Sequence, residues 1–181
     1  MYRALYIVFF LICLSSFNTP VGTPIDSFNG VPVYYNGKSA SVHGRHTTNN
    51  GYNLGLKWQC VEFVKRYYYT IYDHKFPNSG GNAKDFFDKT LRDKDYNNKR
   101  GLVQIRNTRE YPPRVGDILV YDGNEDNPYG HIAIISCIED KKVEIVQQNW
   151  GKKTRHTMNL VEYKGIYTIA DFDILGWLRK P

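Results

Sequence analysis

Trp58-Gln59-Cys60-Val61-Glu62-Phe63-Val64-Lys65-Arg66 decides the fold. A cysteine stands where a loop turns into a helix. Upstream, Gly51-Tyr52-Asn53-Leu54-Gly55 is loop chemistry. Downstream, Val61, Val64 and Tyr68 fall at i, i+3 and i+7, and Phe63, Tyr67 and Ile71 at i, i+4 and i+8. That spacing predicts a helix over about 59–72. Cys60 then falls in the first turn, where unpaired N–H groups and the helix dipole favour an anion. Such a setting lowers a thiol pKa and makes a nucleophile. The competing reading is a small buried hydrophobe, a common fate of free cysteine. A base and an orienting partner elsewhere in the chain decide between the two.

Both are sought where the period changes. From Gly101 the apolar residues run in short strand-like blocks: Leu102–Ile105, Ile118–Tyr121, His131–Ile138, Val143–Trp150, Ile166–Ile169 and Ile174–Leu178. Asp122–Gly130 is a loop, and Glu139–Lys142 a hairpin turn. Upstream, Asn82 is expected to cap a second helix through Leu91, followed by a charged surface segment to Arg109. Gly30–Gly37 reads as a short edge strand, since Pro32 excludes a central place. Helices first and an antiparallel meander after them make an α+β layout.

His131 opens a buried strand directly after the glycine-containing loop, so it stands at a sheet rim. Side chains alternate along a strand, so Val143, Ile145, Gln147 and Asn149 are expected on one face. The hairpin turn brings the far ends of its two strands together, which puts His131 near Gln147 or Asn149. A cysteine on a helix, a histidine on a strand and an amide on the next strand have the logic of a Cys-His-Asn hydrolase. Core cysteine, ordinary buried histidine and strand-end polar amides are the plain alternatives. Trp58 and Trp150 are read as core or rim packing. Cys137 lies six residues past His131, roughly 20 Å along a strand, and is expected neither in the site nor in a disulfide with Cys60.

At 181 residues with 41% hydrophobic content the chain can bury one core. Three cysteines, Cys13, Cys60 and Cys137, are too few for a disulfide scaffold. The net charge of +6 permits anionic partners, but no nucleic-acid motif accompanies it. No cofactor is expected. His43 and His46 lie three apart without a supporting ligand cluster, so they are read as solvated loop histidines and no metal is expected. Met1-Tyr2-Arg3 followed by the uncharged Ala4–Leu14 reads as a signal peptide or N-terminal anchor over 1–18. It is too short for a comfortable bilayer span. The expected organisation is that leader and a single domain over 19–181, secreted or periplasmic, touching membrane only through the leader.

Lys57-Trp58-Gln59-Cys60-Val61-Glu62-Phe63 with Arg66, then Gly130-His131-Ile132-Ala133-Ile134-Ile135, then Gln148-Asn149, resemble the CHAP (cysteine, histidine-dependent amidohydrolase/peptidase) domains. Among these the chain is similar to the amidase domain of glutathionylspermidine synthetase/amidase, from about Gly22 to Trp177. The resemblance implies a papain-like (NlpC/P60-like) α+β fold, with N-terminal helices packed on an antiparallel sheet. It implies Cys60 as nucleophile, His131 as base and amide hydrolysis through a thioester. The family commonly carries glutamate where Gln147 stands, so Gln147 or Asn149 is the expected orienting residue. No ATP-using synthetase half is expected beside the domain. The Cys60 N–H, with Gln59 or Asn53, is expected to hold the oxyanion. Lys65 is the candidate to meet a substrate carboxylate, with solvated Lys65 and Arg66 as the alternative. The expected substrate is a cell-wall peptide amide, since export places the enzyme beside peptidoglycan. Glutathionylspermidine or a related γ-glutamyl or polyamine amide is the alternative substrate. A wall-binding module with a weakened site is the alternative from another class.

Overall fold

The computed structural model describes residues 19–78 and 80–181. The predicted leader, with Ala4–Leu14 and Cys13, lies outside the described residues. Helix α1 spans Cys60–Tyr72, with Gln59 as an extended N-cap. It stops at Asp73, which turns left-handed (φ 48°) and donates its N–H to the Tyr68 carbonyl. An eight-stranded antiparallel sheet carries most of the rest of the core. Its strands are β5 (Tyr96–Asn97), β6 (Leu102–Arg106), β7 (Ile118–Tyr121), β8 (His131–Glu139), β9 (Lys142–Val146), β10 (Arg155–Tyr163), β11 (Ile166–Ile169) and β12 (Ile174–Arg179). Their spatial order is β11-β10-β9-β8-β7-β12-β6-β5. Two small hairpins precede α1: β1 (Pro24–Phe28) with β2 (Val31–Tyr34), and β3 (Arg45–Thr47) with β4 (Asn53–Leu56).

Both faces of the central strands are buried, which is why β7 and β8 read as unbroken apolar runs. On one face Ile118, Val120, Ile132, Ile134, Val146 and Leu178 meet Phe63, Val64, Tyr67 and Tyr68 of α1. Burying each large side chain contributes roughly 1.5–3 kcal/mol. On the other face Leu119, Ala133, Ile135, Ile145 and Trp177 form a second core. The chain after β6 bonds back to β11 through Asn107 with Ile169 and Arg109 with Tyr167, which holds the sheet curled over that core.

The structure corrects the expected helical layer. α1 is the one α-helix among the described residues, and most of their regular structure is strand. The second helix expected over 82–91 is a single 3₁₀ turn at Lys84–Phe86. Local side chains compete with a helical ladder there: Asp85 accepts the Asn82 N–H and Asp88 accepts the Thr90 N–H. Phe86 and Phe87 are both buried, and Phe87 adopts extended backbone to achieve it. The charged stretch to Arg109 holds β5 and β6. The expected loop at Gly51–Gly55 contributes to β4. Gly55 (φ 125°) brings that strand close to the helix: a Cβ there would lie 3.4 Å from Glu62 Cα.

Candidate active site

α1 and β8 pack together and present Cys60 and His131 to one cleft of about 920 Å³. Cys60 is the first helical residue, as its position before the apolar spacing requires. His131 follows Gly130, whose φ of 70° and close approach to the Tyr121 carbonyl admit no side chain: a Cβ would lie 2.6 Å from that oxygen. Both side chains are nearly covered, at 7% and 5% exposure. Backbone N–H groups of Ile132 and Val61 point at the Cys60 sulfur.

The orientation of His131 follows from its neighbour. Gln147 Nε2 donates to the Lys153 carbonyl at 3.1 Å, so its Oε1 must be the end facing the ring. His131 Nε2 lies 3.0 Å from that oxygen and donates to it. The proton is then on Nε2, and Nδ1 is left as the basic nitrogen. Trp150, 53% exposed, lies edge-on to the imidazole with ring centroids 5.1 Å apart and covers it from solvent.

Burial pushes the Cys60 thiol above its ordinary pKa, against the pull of the backbone N–H groups. Burial also lowers His131 to about 4, with Gln147 resisting. Burial thus favours the thiol and the neutral imidazole, and it opposes the thiolate expected from the helix N-terminus. Since His131 is protonated more readily in the unfolded chain (6.5) than in the fold, stability is complete above pH 6.5 and falls as pH drops toward 4. A His131→Ala variant should show a loss smaller by about 3 kcal/mol over that window. Urea titrations at pH 7 and pH 4 measure it, and equal losses in variant and parent would contradict the burial of a neutral ring.

Gln147 is where a carboxylate would change this balance. Gln147→Glu should lift the His131 pKa by about 1–3 units, moving the acid limb of kcat/KM upward. It should also cost about 1 kcal/mol, because the Lys153 carbonyl loses its donor. A pH–rate profile with an unmoved acid limb would show that residue 147 does not govern the imidazole.

The other predicted site residues fall differently. β9 ends at Val146, so alternation carries Gln147 to His131 but not Asn149. Asn149 is left-handed (φ 69°) and lines the cleft, yet its amide bonds to Asn36, Ser39 and Gln59. Gln59 also lines the cleft, but its Nε2 is engaged by the Ser41 carbonyl at 2.8 Å. Asn53 and Lys65 do not line it. The Asn53 side chain accepts the Gly55 N–H, and its carbonyl accepts from Lys65 Nζ. Lys65 is buried over the Tyr52 ring, and burial lowers its pKa to about 8. Cys137 is half-buried, pairs with Glu144 and, like Cys60, is a free thiol.

Sequence reading missed the support beneath Cys60. Glu62 is fully buried, with His46 Nδ1 at 2.7 Å and Arg66 Nε at 2.6 Å on one oxygen, and Gln148 Nε2 at 2.8 Å on the other. Burial pushes its carboxyl up, but His46, Arg66 and Gln148 together hold it below the ordinary value. His46 is thus bonded in β3 rather than solvated, and Arg66 is an ion-pair partner rather than a surface residue. The available signal was Glu62 and Arg66 at i and i+4.

Among the described residues that line the cleft, the charged ones are Arg45 and Asp126, beside the apolar Val42, Leu56, Tyr129 and Trp150. No group of three or more potential metal ligands occurs among the described residues. None of their helices is long and apolar enough to cross a membrane.

A family model described as CHAP domain matches residues 48–149. Over 137 residues the chain is 34% identical to bifunctional glutathionylspermidine synthetase/amidase of Escherichia coli (strain K12), covering 69% of this chain and 22% of that protein. It is 26% identical over 184 residues to trypanothione synthetase of Crithidia fasciculata, covering 92% and 28%. It is 28% identical over 141 residues to endolysin PlyTW of Staphylococcus phage Twort (strain DSM 17442 / HER 48), covering 71% and 28%. A crystal structure of the wild type endolysin LysIME-EF1 aligns with a TM-score of 0.42 at 19% identity, covering 81% of this chain and 58% of that one. The chain spans less than a third of the length of these three curated relatives.

Proposed function

Because the chain belongs to the CHAP domain family, we propose that its cleft is the active centre of a hydrolase acting on amide bonds, with Cys60 as nucleophile and His131 as base. The observation that carries this is the His131–Gln147 hydrogen bond beside Cys60 in one cleft. His131 Nδ1 takes the Cys60 proton as sulfur attacks the carbonyl carbon. The developing oxyanion meets backbone N–H groups of the first turn of α1. The imidazolium, held by Gln147 Oε1, gives its proton to the leaving nitrogen. The C–N bond breaks and a thioester remains. Water, deprotonated by His131, attacks the thioester and frees the acid and the thiol. A helix-borne cysteine facing a strand-borne histidine is the papain-like arrangement.

The substrate is a peptide amide of the cell wall. Among the described residues one cation and one carboxylate line the cleft, which suits a peptide bearing both charges better than a polycation. The uncharged stretch Ala4–Leu14 supports export to that substrate, outside the cytoplasm. A glutathionylspermidine amide is the second reading, favoured by the 34% identity to a protein named for that amidase. Purified protein incubated with peptidoglycan and with glutathionylspermidine, products read by mass spectrometry, separates them. New peptide amine and carboxyl ends support the first, and free spermidine with glutathione the second. Intact substrate in both would overturn hydrolysis and leave a wall-binding module.

A further inference from the structure

Three side-chain amides form one directed relay at the cleft rim. The Trp58 N–H donates to Asn36 Oδ1 at 3.3 Å, which fixes that amide's polarity. Asn36 Nδ2 then donates to Asn149 Oδ1 at 2.7 Å. Asn149 Nδ2 donates onward to Gln59 Oε1 and to the Ser39 carbonyl. Gln59 Nε2 ends the relay on the Ser41 carbonyl. Asn36 is 1% exposed, so a lost partner there would not be replaced freely by water. The relay grips the two residues immediately before the nucleophile: Trp58 by its backbone and Gln59 by its side chain. The Gln59 carbonyl is separately held by Gln148 Nε2 at 3.0 Å and by the Phe63 N–H.

We propose that Asn149 is a positioning residue for the oxyanion-binding first turn of α1, acting through Gln59, and not the orienting partner of His131. The proposal rests on the amidohydrolase reading and assigns Asn149 to the side of the site where the tetrahedral oxygen forms. Gln147 alone then serves the base. A small misplacement of reacting groups costs on the order of 100-fold in rate, so a relay that fixes the start of α1 acts on kcat. It leaves the proton affinity of His131 untouched.

The test compares Asn149→Gly, Gln59→Ala, their combination and Gln147→Ala. Glycine is chosen at 149 because it removes the amide while keeping the left-handed backbone unstrained. Three quantities are read: kcat and KM on whichever of the two amide substrates the parent cleaves, the acid limb of kcat/KM, and the rate at which iodoacetamide alkylates Cys60. Alkylation needs the sulfur and its base but forms no oxyanion. It also reports whether the site is still folded.

Asn149→Gly and Gln59→Ala should each lower kcat about 10- to 100-fold, with KM, acid limb and alkylation rate unchanged. The double variant should lose no more than either single one, as members of one relay do. Gln147→Ala should instead slow alkylation and move the acid limb. The proposal is overturned if Asn149→Gly behaves like Gln147→Ala, if the two relay losses multiply, or if kcat is unaffected. A parent inert toward both substrates, with Cys60 still alkylated, would refute the hydrolase reading itself and the relay's role with it.

Discussion

Cys60→Ala is expected to lower amide hydrolysis by about 10⁴-fold or more while the protein stays folded, as removing the nucleophile of a triad does. The sulfur is nearly covered, sits at the first helical residue, and receives the Ile132 N–H beside His131. Alanine keeps the helix start and removes only the reacting atom. Cys137→Ala is the matched control. Cys137 is half-buried on β8 opposite Glu144, roughly 20 Å along the strand from His131, and should keep parental activity. Turnover measured on the same amide for both variants decides it. Equal losses in the two, or none in either, would remove Cys60 from the chemistry.

Glu62→Ala carries the largest expected effect on stability. It leaves Arg66 buried without its carboxylate and strips His46 and Gln148 of an acceptor. Breaking one side of such a buried pair costs about 3–5 kcal/mol, a large part of the roughly 5–15 kcal/mol a domain has. Replacing both partners with apolar residues, as in Glu62→Leu with Arg66→Met, should cost less than Glu62→Ala alone. The Glu62 pKa is held below its ordinary 4.5, so its support is full above that value and is lost as pH falls through the depressed one. The His131 loss comes earlier, between 6.5 and about 4. Urea unfolding of the three proteins at pH 7 measures the first effect. A Glu62→Ala loss below about 1 kcal/mol would mean the network is not the anchor it resembles.

The sequence announced α1 because its apolar spacing is helical and its start is marked by a loop. It announced β7 and β8 because strands buried on both faces must be apolar throughout. It hid β10, whose Arg155–Tyr163 is polar at most positions because much of it faces solvent. It misled over 82–91, where helical-looking spacing lost to Asp85 and Asp88 bonding their own neighbourhood. In the site, His131 and Gln147 were legible from alternation and the hairpin register. Asn149 was not, because the strand stops at Val146 and the turn that follows rotates it toward Gln59. Lys65 was expected to meet a substrate carboxylate in the cleft and is instead buried, since a single sequence does not say which side of a helix the hairpin β3–β4 will cover.

The central claim is that one thiol performs the chemistry, in the cleft with His131. Iodoacetamide labelling followed in parallel by peptide mapping and residual turnover tests it most directly. One equivalent should go onto the peptide containing Cys60, activity should fall in proportion to that label, and an amide substrate should slow both. Full labelling of Cys60 with activity retained, or activity lost in step with labelling of Cys137, would contradict it.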